Sequence, residues 1–442
     1  MKIKIHAVGG YEEVGRNMTC LEIGDEAVIL DMGLYLDPYL AIQEKTANPT
    51  TKQLMDNGAI PNDSVISHLK NKVKAIIIGH GHLDHIGGIQ WLSSKYNCPI
   101  IATPYTIEII KSMQKDNKFT LKNKLVSLNP NATYTLSEAI QIEFINVTHS
   151  ILQTVMINIK TPEGSILYTS DYKLDNNPVV CKKTNKKRLR ELASENVLAL
   201  IIESTRANEE RKTFSESVAR DMLKDVLLGM ENAGHGIILT TFSSHIARQK
   251  SMLEIGRELG RKVVFMGRSL HKYIDAAEKL DFVSFSKKSE ILWNPKLIKK
   301  RLAEINKARD KYLLIMTGNQ GEPTAMLTRV VKDELPFSIL PGDFVIFSCK
   351  TIPTPIIQAN RRLVEQKLHN KKARIFKEVH VSGHASREDH RDLIKMVAPE
   401  HIIPAHGDMA KLAALADLAT EIGYKLGKTV HILQNGQELI LK

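Results

Sequence analysis

The sequence predicts an α/β protein in which one α/β domain is inserted into another, and three observations support this prediction. The chain has 442 residues, more than a single domain usually contains, and its 43% apolar and 25% charged residues are ordinary for a folded protein. Short β-branched runs alternate with helical patterns, which is typical of α/β folds. The pattern of the N-terminal part returns towards the C-terminal end, after a middle part with longer helices.

The N-terminal part repeats one local pattern, a short apolar run that ends near a polar residue and a turn former. The runs are 27–30 before Asp31, 75–78 before His80, 142–147 before His149, 165–168 before Asp171 and 197–202 before Glu203. Each run predicts a strand. Side chains at strand ends are held by a rigid sheet and face loops, so we expect these polar residues to build a site.

The middle part alternates predicted helices with predicted strands. Helical patterns cover 214–232, 244–259 and 295–309, and apolar runs predict strands at 236–239, 263–265, 312–316 and 343–347. This alternation predicts a largely parallel sheet. From about residue 371 the first pattern returns, with runs at 378–381 leading to His384 and at 401–404 leading to His406. We therefore predict a first domain of residues 1–205 and 371–442, with an inserted domain of residues 206–370.

The net charge of +12 favours a polyanionic partner, because neutralised phosphates release counterions. Two basic clusters contribute: Lys182, Lys183, Lys186, Lys187, Arg188 and Arg190, and then Lys287, Lys288, Lys296, Lys299, Lys300 and Arg301. Each cluster is either a solvated surface or part of a nucleic-acid groove, and the sequence leaves both interpretations open. Apolar runs of the roughly 20 residues that span a bilayer are missing from the sequence, so we expect a cytosolic protein.

The segment His80-Gly-His82-Leu-Asp84-His85 places three imidazoles and a carboxylate within six residues, directly after a predicted strand. Side-chain packing alone does not explain so many potential metal ligands in one strand-to-helix turn, so the segment predicts a metal site. A helix can begin after His82, with Asp84 and His85 in its first turn. His80 and His82 can then bind one ion while Asp84 and His85 reach a second.

The motif alone does not supply the four or so ligands that each zinc ion requires. His149, Asp171 and His406 each follow a predicted strand and are the natural supplements. We expect His80, His82 and His149 at one ion, Asp84, His85 and His406 at the other, and Asp171 bridging both.

Two ions roughly 3.5–4 Å apart can share a hydroxide for in-line attack on a phosphodiester. Zinc is preferred for this ligand set, with Mn²⁺ or Mg²⁺ as alternatives that would support activity. We expect Asp31 to hydrogen-bond a ligand histidine, although it could instead only form the turn before Met32.

These residues resemble the metallo-β-lactamase superfamily, because Asp31, the HGHLDH segment, His149 and Asp171 follow one another as in that superfamily. Glu203 in IIEST, His384 in HVSGHAS and His406 in IPAHGD resemble the further motifs of its β-CASP branch, whose members cleave nucleic acids. The resemblance implies an αββα sandwich with an inserted α/β β-CASP domain that has a parallel sheet. The branch often has Asp at the position of Glu203. Either carboxylate occurs there, so this difference affects the geometry of the site more than the assignment to the branch.

The details resemble the RNase J family most, in its archaeal form, over nearly the whole chain. The segments that carry this likeness are AVGG at 7–10, EVGRN at 13–17, TFSSHIAR at 241–248, TGNQGEP at 317–323 and HVSGHAS at 380–386. The resemblance implies a zinc-dependent 5′-to-3′ exoribonuclease that acts on 5′-monophosphorylated single-stranded RNA, with some endonuclease activity. It also implies homodimers and participation in RNA-decay or ribosome-associated assemblies.

The resemblance further implies roles for residues. His384 would bind the scissile phosphate or protonate the leaving oxygen with Glu203 orienting it, so the catalytic set is Asp31, Asp84, Glu203 and His384. A second set would bind phosphate and RNA: Ser243, Ser244, His245, His380, Ser382, His384 and Ser386. The last four alternate along a segment predicted to be extended, so they would project together. Ser243 and Ser244 could instead only cap the helix that starts near Ile246.

Three alternatives to the exoribonuclease hypothesis stay open at this point. One is a β-CASP endoribonuclease of the type that processes mRNA 3′ ends. Another, of a different class, is a catalytically silent RNA-binding subunit, although none of the seven predicted metal ligands is missing. A small-molecule hydrolase would share the zinc motif, but the inserted domain, the His384 motif and the positive charge argue against it.

Overall fold

The computed structural model describes residues 1–46 and 48–441, and these form two compact units. The first unit consists of the described residues of Met1–Asn176, Lys182–Thr213 and Gly383–Lys442, and the second of Asn177–Cys181 and Phe214–Ser382. The second unit is therefore flanked in sequence on both sides by parts of the first. The predicted domain limits, 1–205, 206–370 and 371–442, lie near these divisions and stay a prediction of domain boundaries.

Strands are numbered in chain order. The first part of the first unit contains β1 (Ile3–Gly9), β2 (Met18–Ile23), β3 (Glu26–Leu30), β4 (Val73–Ile77), β5 (Ile100–Ala102), β6 (Leu125–Ser127), β7 (Thr133–Thr135), β8 (Gln141–Asn146), β9 (Val155–Thr161), β10 (Gly164–Tyr168) and β11 (Val197–Glu203). The second unit contains β12 (Ile237–Thr240), β13 (Lys262–Met266), β14 (Glu290–Leu292), β15 (Tyr312–Met316), β16 (Phe344–Phe347) and β17 (Arg374–Phe376). The first unit is completed by β18 (His401–Ala405) and β19 (Glu438–Ile440).

Helices are numbered in the same way. The first unit contains α1 (Leu36–Lys45), α2 (Thr51–Asp56), α3 (Leu83–Ile86), α4 (Ile89–Leu92), α5 (Pro104–Asn117) and α6 (Lys186–Glu191). The second contains α7 (Glu216–Leu228), α8 (Ile246–Glu258), α9 (Arg268–Lys279), α10 (Pro295–Asn306), α11 (Met326–Val331) and α12 (Pro355–Asn370), and the first resumes with α13 (Arg387–Val397) and α14 (Met409–Glu421). Short 3-10 helices lie at Asp63–Leu69, Ser93–Lys95, Leu192–Ser194 and Arg309–Lys311.

The first unit is a sandwich of two sheets. One sheet has the strand order β19-β1-β2-β3-β4-β5-β6 and the other β18-β11-β10-β9-β8-β7. Apolar residues of both sheets meet in one core, with Ile5 and Ile77 from the first sheet and Phe144 and Ile157 from the second. Because α13 and α14 cover the outer face of the second sheet and α5 contacts the first, the layers follow the predicted αββα order.

The second unit is built on one parallel sheet with the order β14-β13-β15-β12-β16-β17. Helices α10, α11 and α12 contribute Leu302, Leu327 and Val364 to the core together with Val264 and Val345 of the sheet. Strands buried in this way are continuous apolar runs, which is the pattern of parallel sheets. The predicted parallel sheet of the inserted part is therefore present.

The prediction of a strand at residues 378–381 is wrong. This segment pairs with no strand among the described residues, and Glu378 has a left-handed φ of 64°. Its carbonyl groups are bound by side chains instead, since Ser348 Oγ donates to the Val379 carbonyl at 2.6 Å and Arg248 donates to those of Val379 and Val381 at 3.4 Å. The apolar alternation correctly indicated that the apolar side chains of the segment are buried. Its carbonyl groups, however, are hydrogen-bonded by side chains and not by the backbone of a neighbouring strand.

Within residues 1–46 and 48–441, the model contains no helix with both the length and the apolar character needed to cross a membrane.

Candidate metal centre

The strand directions of the first unit bring six chemically active positions to one edge. β3 and β4 are parallel neighbours, and their carboxyl ends lead to Asp31 and His80. In the second sheet β10, β11 and β18 are parallel, so Asp171, Glu203 and His406 follow at a common edge. β8 is antiparallel to β9 and β9 to β10, so β8 also points this way and leads to His149.

The first candidate metal site consists of His80, His82, His149 and Asp171, whose ligand atoms all lie within 4.8 Å of one another. The Nε2 atoms of His80 and His149 are each 3.5 Å from Asp171 Oδ2. His82 Nδ1 lies 3.1 Å from His80 Nε2 and 3.2 Å from His149 Nε2. Three imidazole nitrogens therefore face one point beside a carboxylate, as zinc requires.

The second candidate site consists of Asp84, His85, Asp171 and His406. His85 Nε2 lies 3.3 Å from Asp171 Oδ1 and 3.6 Å from Asp84 Oδ2. His406 Nε2 lies 3.4 Å from Asp84 Oδ2 and 3.5 Å from Asp171 Oδ1. Asp171 thus uses one oxygen toward each group, and the structure brings together all seven residues proposed from the sequence.

An observation independent of the sequence motif also indicates that these side chains fit two divalent metal ions. Among the described residues, Asp171 Oδ1 and both ring nitrogens of His406 are buried and have no hydrogen-bond partner. Buried polar atoms are normally satisfied, so orphaned donors aimed at one another call for an ion. Burial lowers the pKa of His82 to about 4 and holds the pKa values of His80 and His149 well below 6.5. These imidazoles are therefore neutral, which is the form that binds metal.

A second layer of contacts orients the ligand histidines. His85 Nδ1 donates to Asp31 Oδ2 at 2.6 Å, which is the contact predicted for Asp31. Asp31 Oδ1 accepts from the Gly79 amide at 2.8 Å, so Asp31 also fixes the start of the motif loop. His80 Nδ1 lies 2.9 Å from Ser170 Oγ, and His149 Nδ1 donates to the Gly383 carbonyl at 2.7 Å. With Nδ1 engaged, each ring presents Nε2 to the metal site.

Sequence reasoning missed several of these supports. Ser170 stands directly before Asp171 at a strand end, and this adjacency was a usable signal. Asn17 Nδ2 lies 3.2 Å from His85 Nε2 and donates to the Asp84 carbonyl at 3.1 Å. Asn17 lies in the EVGRN segment that the resemblance singled out without a role. Gly383 acts through its backbone carbonyl, which no sequence signal reveals.

Gly33, beside the HGHLDH segment, has to be a glycine because other backbone atoms approach it closely. A Cβ atom on Gly33 would lie 1.7 Å from the Asp84 carbonyl oxygen and 2.5 Å from the Asn17 amide nitrogen. Both are backbone atoms that cannot move aside cheaply, and the Gly33 amide itself donates to the Asn17 carbonyl at 2.9 Å. Gly33 therefore lets the loop after β3 pack against the metal-binding turn.

His384 and Glu203 lie next to the two candidate sites. Glu203, at the end of β11, accepts from His384 Nδ1 at 3.2 Å and from the Ala385 amide at 3.3 Å. The His384 ring centroid is 4.9 Å from that of His149. Burial alone would lower the pKa of His384, but the carboxylates of Glu203 and Asp171 outweigh it and raise the pKa to about 9. Bound cations would oppose that rise.

The other residues of the predicted phosphate set divide between the units. Ser386, in the first unit, is fully buried and caps α13 in a capping box with Asp389. Ser243, Ser244, His245, His380 and Ser382 belong to the second unit. The N-cap of α8 is His245, whose Nδ1 accepts from the Arg248 amide at 3.3 Å, so the alternative in which Ser243 or Ser244 caps this helix is wrong.

Arg248 organises this part of the second unit and was not predicted. Its guanidinium is fully buried and makes a two-pronged contact with Glu216, with N–O distances of 2.6 and 2.9 Å. It also donates to the Ser348 carbonyl and hydroxyl at 2.9 and 2.8 Å. These bonds, together with those to the carbonyl groups of residues 379 and 381, fix the segment that carries His380. The Nδ1 atom of His380 is buried and has no hydrogen-bond partner in the part of the chain that the structure describes.

The two basic clusters differ from simple charged surfaces. Arg188 is bound by Glu143 and Glu195, and Arg301 by Glu290 and Glu304. These arginines hold the fold together, whereas the lysines at 182, 183, 187, 287, 288, 296, 299 and 300 are exposed.

Family models match three successive parts of the chain. Residues 12–119 match the metallo-β-lactamase superfamily, residues 234–366 match the ribonuclease J β-CASP domain, and residues 369–433 match the Zn-dependent metallo-hydrolase RNA specificity domain.

Curated relatives match over nearly the full length. Ribonuclease J of Methanocaldococcus jannaschii is 44% identical over 99% of this chain and 98% of the relative, and that of Pyrococcus abyssi is 47% identical over 98% and 96%. Ribonuclease J 1 of Streptococcus pyogenes is 30% identical over the whole chain and 74% of the relative. A solved structure of a protein of unknown function from Enterococcus faecalis aligns with a TM-score of 0.72 at 17% identity, covering 100% of both chains, and so shares the fold.

Proposed function

The chain belongs to the ribonuclease J family, and from this membership we propose that it degrades single-stranded RNA from 5′-monophosphorylated ends in the 5′-to-3′ direction, with some internal cleavage. It is a metal-dependent ribonuclease. One observation supports the chemistry most strongly: seven buried or half-buried ligands converge with orphaned donor atoms beside His384 and Glu203. A silent RNA-binding subunit would not keep such a complete set, and a small-molecule hydrolase would not need the RNA specificity domain that matches here.

We propose two zinc ions per subunit, with Mn²⁺ or Mg²⁺ as substitutes. His80, His82 and His149 would hold one ion, Asp84, His85 and His406 the other, and Asp171 would contact both. When bound, such a pair supplies an activated water and positive charge beside the phosphodiester. Asp31 keeps the proton on His85 Nδ1, so that His85 Nε2 stays directed at the ligand group.

His384 is the proposed contact to the reacting phosphate. Glu203 accepts from Nδ1, which leaves Nε2 on the opposite side of the ring to bind the scissile phosphate or to protonate the leaving 3′ oxygen. Glu203 is held in turn by amides of its own neighbourhood, Thr205 at 3.2 Å and Ala385 at 3.3 Å. Glu203 therefore acts as a positioning residue for His384. Its side chain is one methylene longer than that of the aspartate often found at this position in the branch, and it still contacts His384 Nδ1.

Residues of the second unit are proposed to bind RNA phosphates. Ser243, Ser382 and the orphaned Nδ1 of His380 can hydrogen-bond an anion, and burial lowers the pKa of His380 to about 2, so this imidazole would act as a neutral donor. Ser244 and His245 shape the same loop. We leave Ser386 out of this set, because its hydroxyl is buried and lies within hydrogen-bond distance of Thr213 Oγ1, at 2.9 Å.

We further propose that the protein is a homodimer that acts in the cytoplasm, within RNA-decay or ribosome-associated assemblies. Light scattering after size-exclusion chromatography measures the oligomeric state directly. A monomer at all concentrations tested would contradict the homodimer.

Three RNA substrates test the direction of cleavage. We expect mononucleotide release from 5′-monophosphorylated RNA, much slower release from 5′-triphosphorylated RNA, and little cleavage of circular RNA. Rapid cleavage of circles with no preference among linear ends would favour the endoribonuclease of the mRNA 3′-end-processing type. Wild-type protein that cleaves none of the three would contradict the proposed function altogether.

A further inference from the structure

The second unit exposes a tryptophan at the carboxyl edge of its parallel sheet. β14 ends at Leu292, and Trp293 follows with 48% of its surface exposed. Ligands of open parallel sheets bind in the crevice beyond the carboxyl ends of the strands. A single exposed apolar residue is ordinary on a protein surface, so the neighbours of Trp293 decide what it does.

The ring of His271, on α9, lies beside that of Trp293. The centroids of the His271 and Trp293 rings are 5.0 Å apart, and their planes are inclined by 41°. Because α9 follows β13, and β13 is the parallel neighbour of β14, two adjacent strand-to-helix connections place these rings side by side. We call the surface formed by His271 and Trp293 the Trp293 platform.

Two exposed cations lie three residues from the rings of the Trp293 platform in sequence, and the carboxylate of Asp275, one helical turn after His271, is paired with Lys279 Nζ at 2.8 Å. Arg268, at the start of α9, and Lys296, in the first turn of α10, are exposed. The nearby carboxylate of Glu290 accepts from Arg301 Nε at 2.9 Å, so its charge is compensated. Both helices also begin at this edge, and the N-terminal ends of their dipoles add to the positive potential.

The platform continues the edge that carries the proposed phosphate-binding serine. Ser269, in the first turn of α9, has its Oγ 3.0 Å from Ser243 Oγ. Ser243 follows β12, which lies in the same sheet as β13 and β14. One edge of one sheet therefore presents hydroxyl groups, cations and an aromatic surface in succession.

From this arrangement we propose that the Trp293 platform stacks a nucleobase of the single-stranded RNA substrate, with Arg268 and Lys296 contacting the adjoining phosphates. The proposal rests on the proposed ribonuclease function. Aromatic stacking accepts any base, and flanking cations follow the backbone, which suits an enzyme that must pass every sequence. A second copy of the chain is a poorer occupant, because it would bring the same positive charges against this face.

Fluorescence reports the contact directly. Trp91 and Trp293 are the two tryptophans of the chain, so Trp91→Phe leaves Trp293 as the sole indole. Phenylalanine keeps a ring beside Tyr39, whose centroid is 5.8 Å from that of Trp91. In this variant, combined with Asp84→Ala to prevent cleavage, we expect 5′-monophosphorylated single-stranded RNA to quench the remaining fluorescence. RNA that binds, as fluorescence anisotropy shows, without quenching would overturn the proposal.

Binding measurements give the energetic counterpart. Trp293→Ala should weaken RNA affinity by about tenfold and raise KM with kcat unchanged, while Trp293→Phe should retain most of the affinity. The matched control is Leu363→Ala, since Leu363 is 58% exposed on α12, which contacts β17 at the opposite end of the sheet, and no loss is expected there. RNA with abasic positions should bind Trp293→Ala and wild type equally.

Distinct outcomes separate the two proposals. Wild-type affinity in Trp293→Ala, with RNA still cleaved, would overturn the Trp293 platform and leave the ribonuclease function intact. Dimers that become monomers in Trp293→Ala, with RNA affinity unchanged, would assign this face to a second copy of the chain. Wild-type protein that neither binds nor cleaves RNA would refute the proposed function itself.

Discussion

Two regions of the first unit gather histidine and carboxylate side chains closely enough to hold a metal, and they differ in what those side chains already contact. One is the candidate metal centre around Asp171. The other, which we call the β1 cluster, consists of His6, Glu22 and His68, with ligand atoms within the same 4.8 Å. In the metal centre, Asp171 Oδ1 and both nitrogens of His406 are buried and form no hydrogen bond within residues 1–46 and 48–441.

In the β1 cluster the carboxylate is already compensated. Glu22 Oε2 lies 3.3 Å from Lys4 Nζ and 3.3 Å from His6 Nε2, and Lys72 Nζ is 3.7 Å from Oε1. A cation entering here would have to displace two ammonium groups. The β1 cluster is therefore an ion-pair network, and the comparison teaches that unsatisfied donor atoms, more than ligand types, mark a metal site.

The largest expected effect comes from emptying or breaking the metal centre. Chelation, or Asp84→Ala, should lower RNA turnover by roughly 10³-fold or more, because the ions supply several kcal/mol of transition-state stabilisation. RNA binding should stay measurable. Single-turnover hydrolysis and the metal content of the purified protein check both statements.

Metal removal should also lower the melting temperature, because ligands that bind only the folded state stabilise it. The matched control is Glu438→Gln, a half-exposed carboxylate 3.7 Å from His6 Nδ1 in the β1 cluster. Full turnover in chelated protein, or equal metal loss in Glu438→Gln, would contradict the distinction between the two regions.

A smaller effect is expected at the border of the metal centre. His384→Gln should lower kcat by about 10²–10⁴-fold while metal content stays unchanged, because His384 is proposed to act on the phosphate rather than to hold an ion. Metal analysis beside single-turnover rates provides the measurement. If this variant loses as much metal as Asp84→Ala, then His384 is a ligand and the group of Asp171, Glu203 and His384 belongs to the centre.

The smallest effect is expected in the β1 cluster. Glu22→Gln should lower the free energy of unfolding by about 1–2 kcal/mol at pH 7, because Lys4 and Lys72 lose their shared partner. Burial would raise the pKa of Glu22, but Lys4 and His6 outweigh it and lower the pKa. A lowered folded-state pKa stabilises above the unfolded value of about 4.3, so the difference between wild type and variant should shrink as pH falls below that value.

Urea unfolding at several pH values measures this difference. The groups that face Glu22 are Lys4, His6 and Lys72, with Glu438 and His68 beside His6. His68→Ala serves as the companion variant and should leave metal content and RNA turnover at wild-type values. A third bound metal that disappears in His68→Ala would show that the β1 cluster is a site after all.

The sequence pointed to the candidate metal ligands because they follow strand ends or lie in the turn and helix directly after one, where a short apolar run and a turn former can be recognised without the fold. Their role as ligands stays a prediction. The sequence predicted the contact of Asp31 with a ligand histidine for the same reason. The contacts that Asn17 and Gly383 make with the candidate ligands were missed. The Asn17 contact depends on the loop after β1 reaching the HGHLDH segment, and the Gly383 contact is made by a backbone carbonyl. Both are products of tertiary packing.

The sequence was less informative where side chains replace regular hydrogen bonding. The parallel sheet of the second unit followed from alternating helices and strands, yet residues 378–381 were misassigned. Their apolar spacing is that of a strand, but the side chains of Ser348 and Arg248, distant in sequence, bind their carbonyl groups in place of a neighbouring strand. The β1 cluster was likewise invisible, since His6, Glu22 and His68 show no common spacing.

The ligands of the metal centre are spread from His80 to His406, with the entire second unit encoded between Asp171 and the last of them. Domains fold in order of synthesis as the chain leaves the ribosome. Until β18 is made and pairs with β11, the growing polypeptide lacks His406, one of the seven proposed metal ligands. We therefore expect a nascent chain that ends before His406 to be inactive as a nuclease.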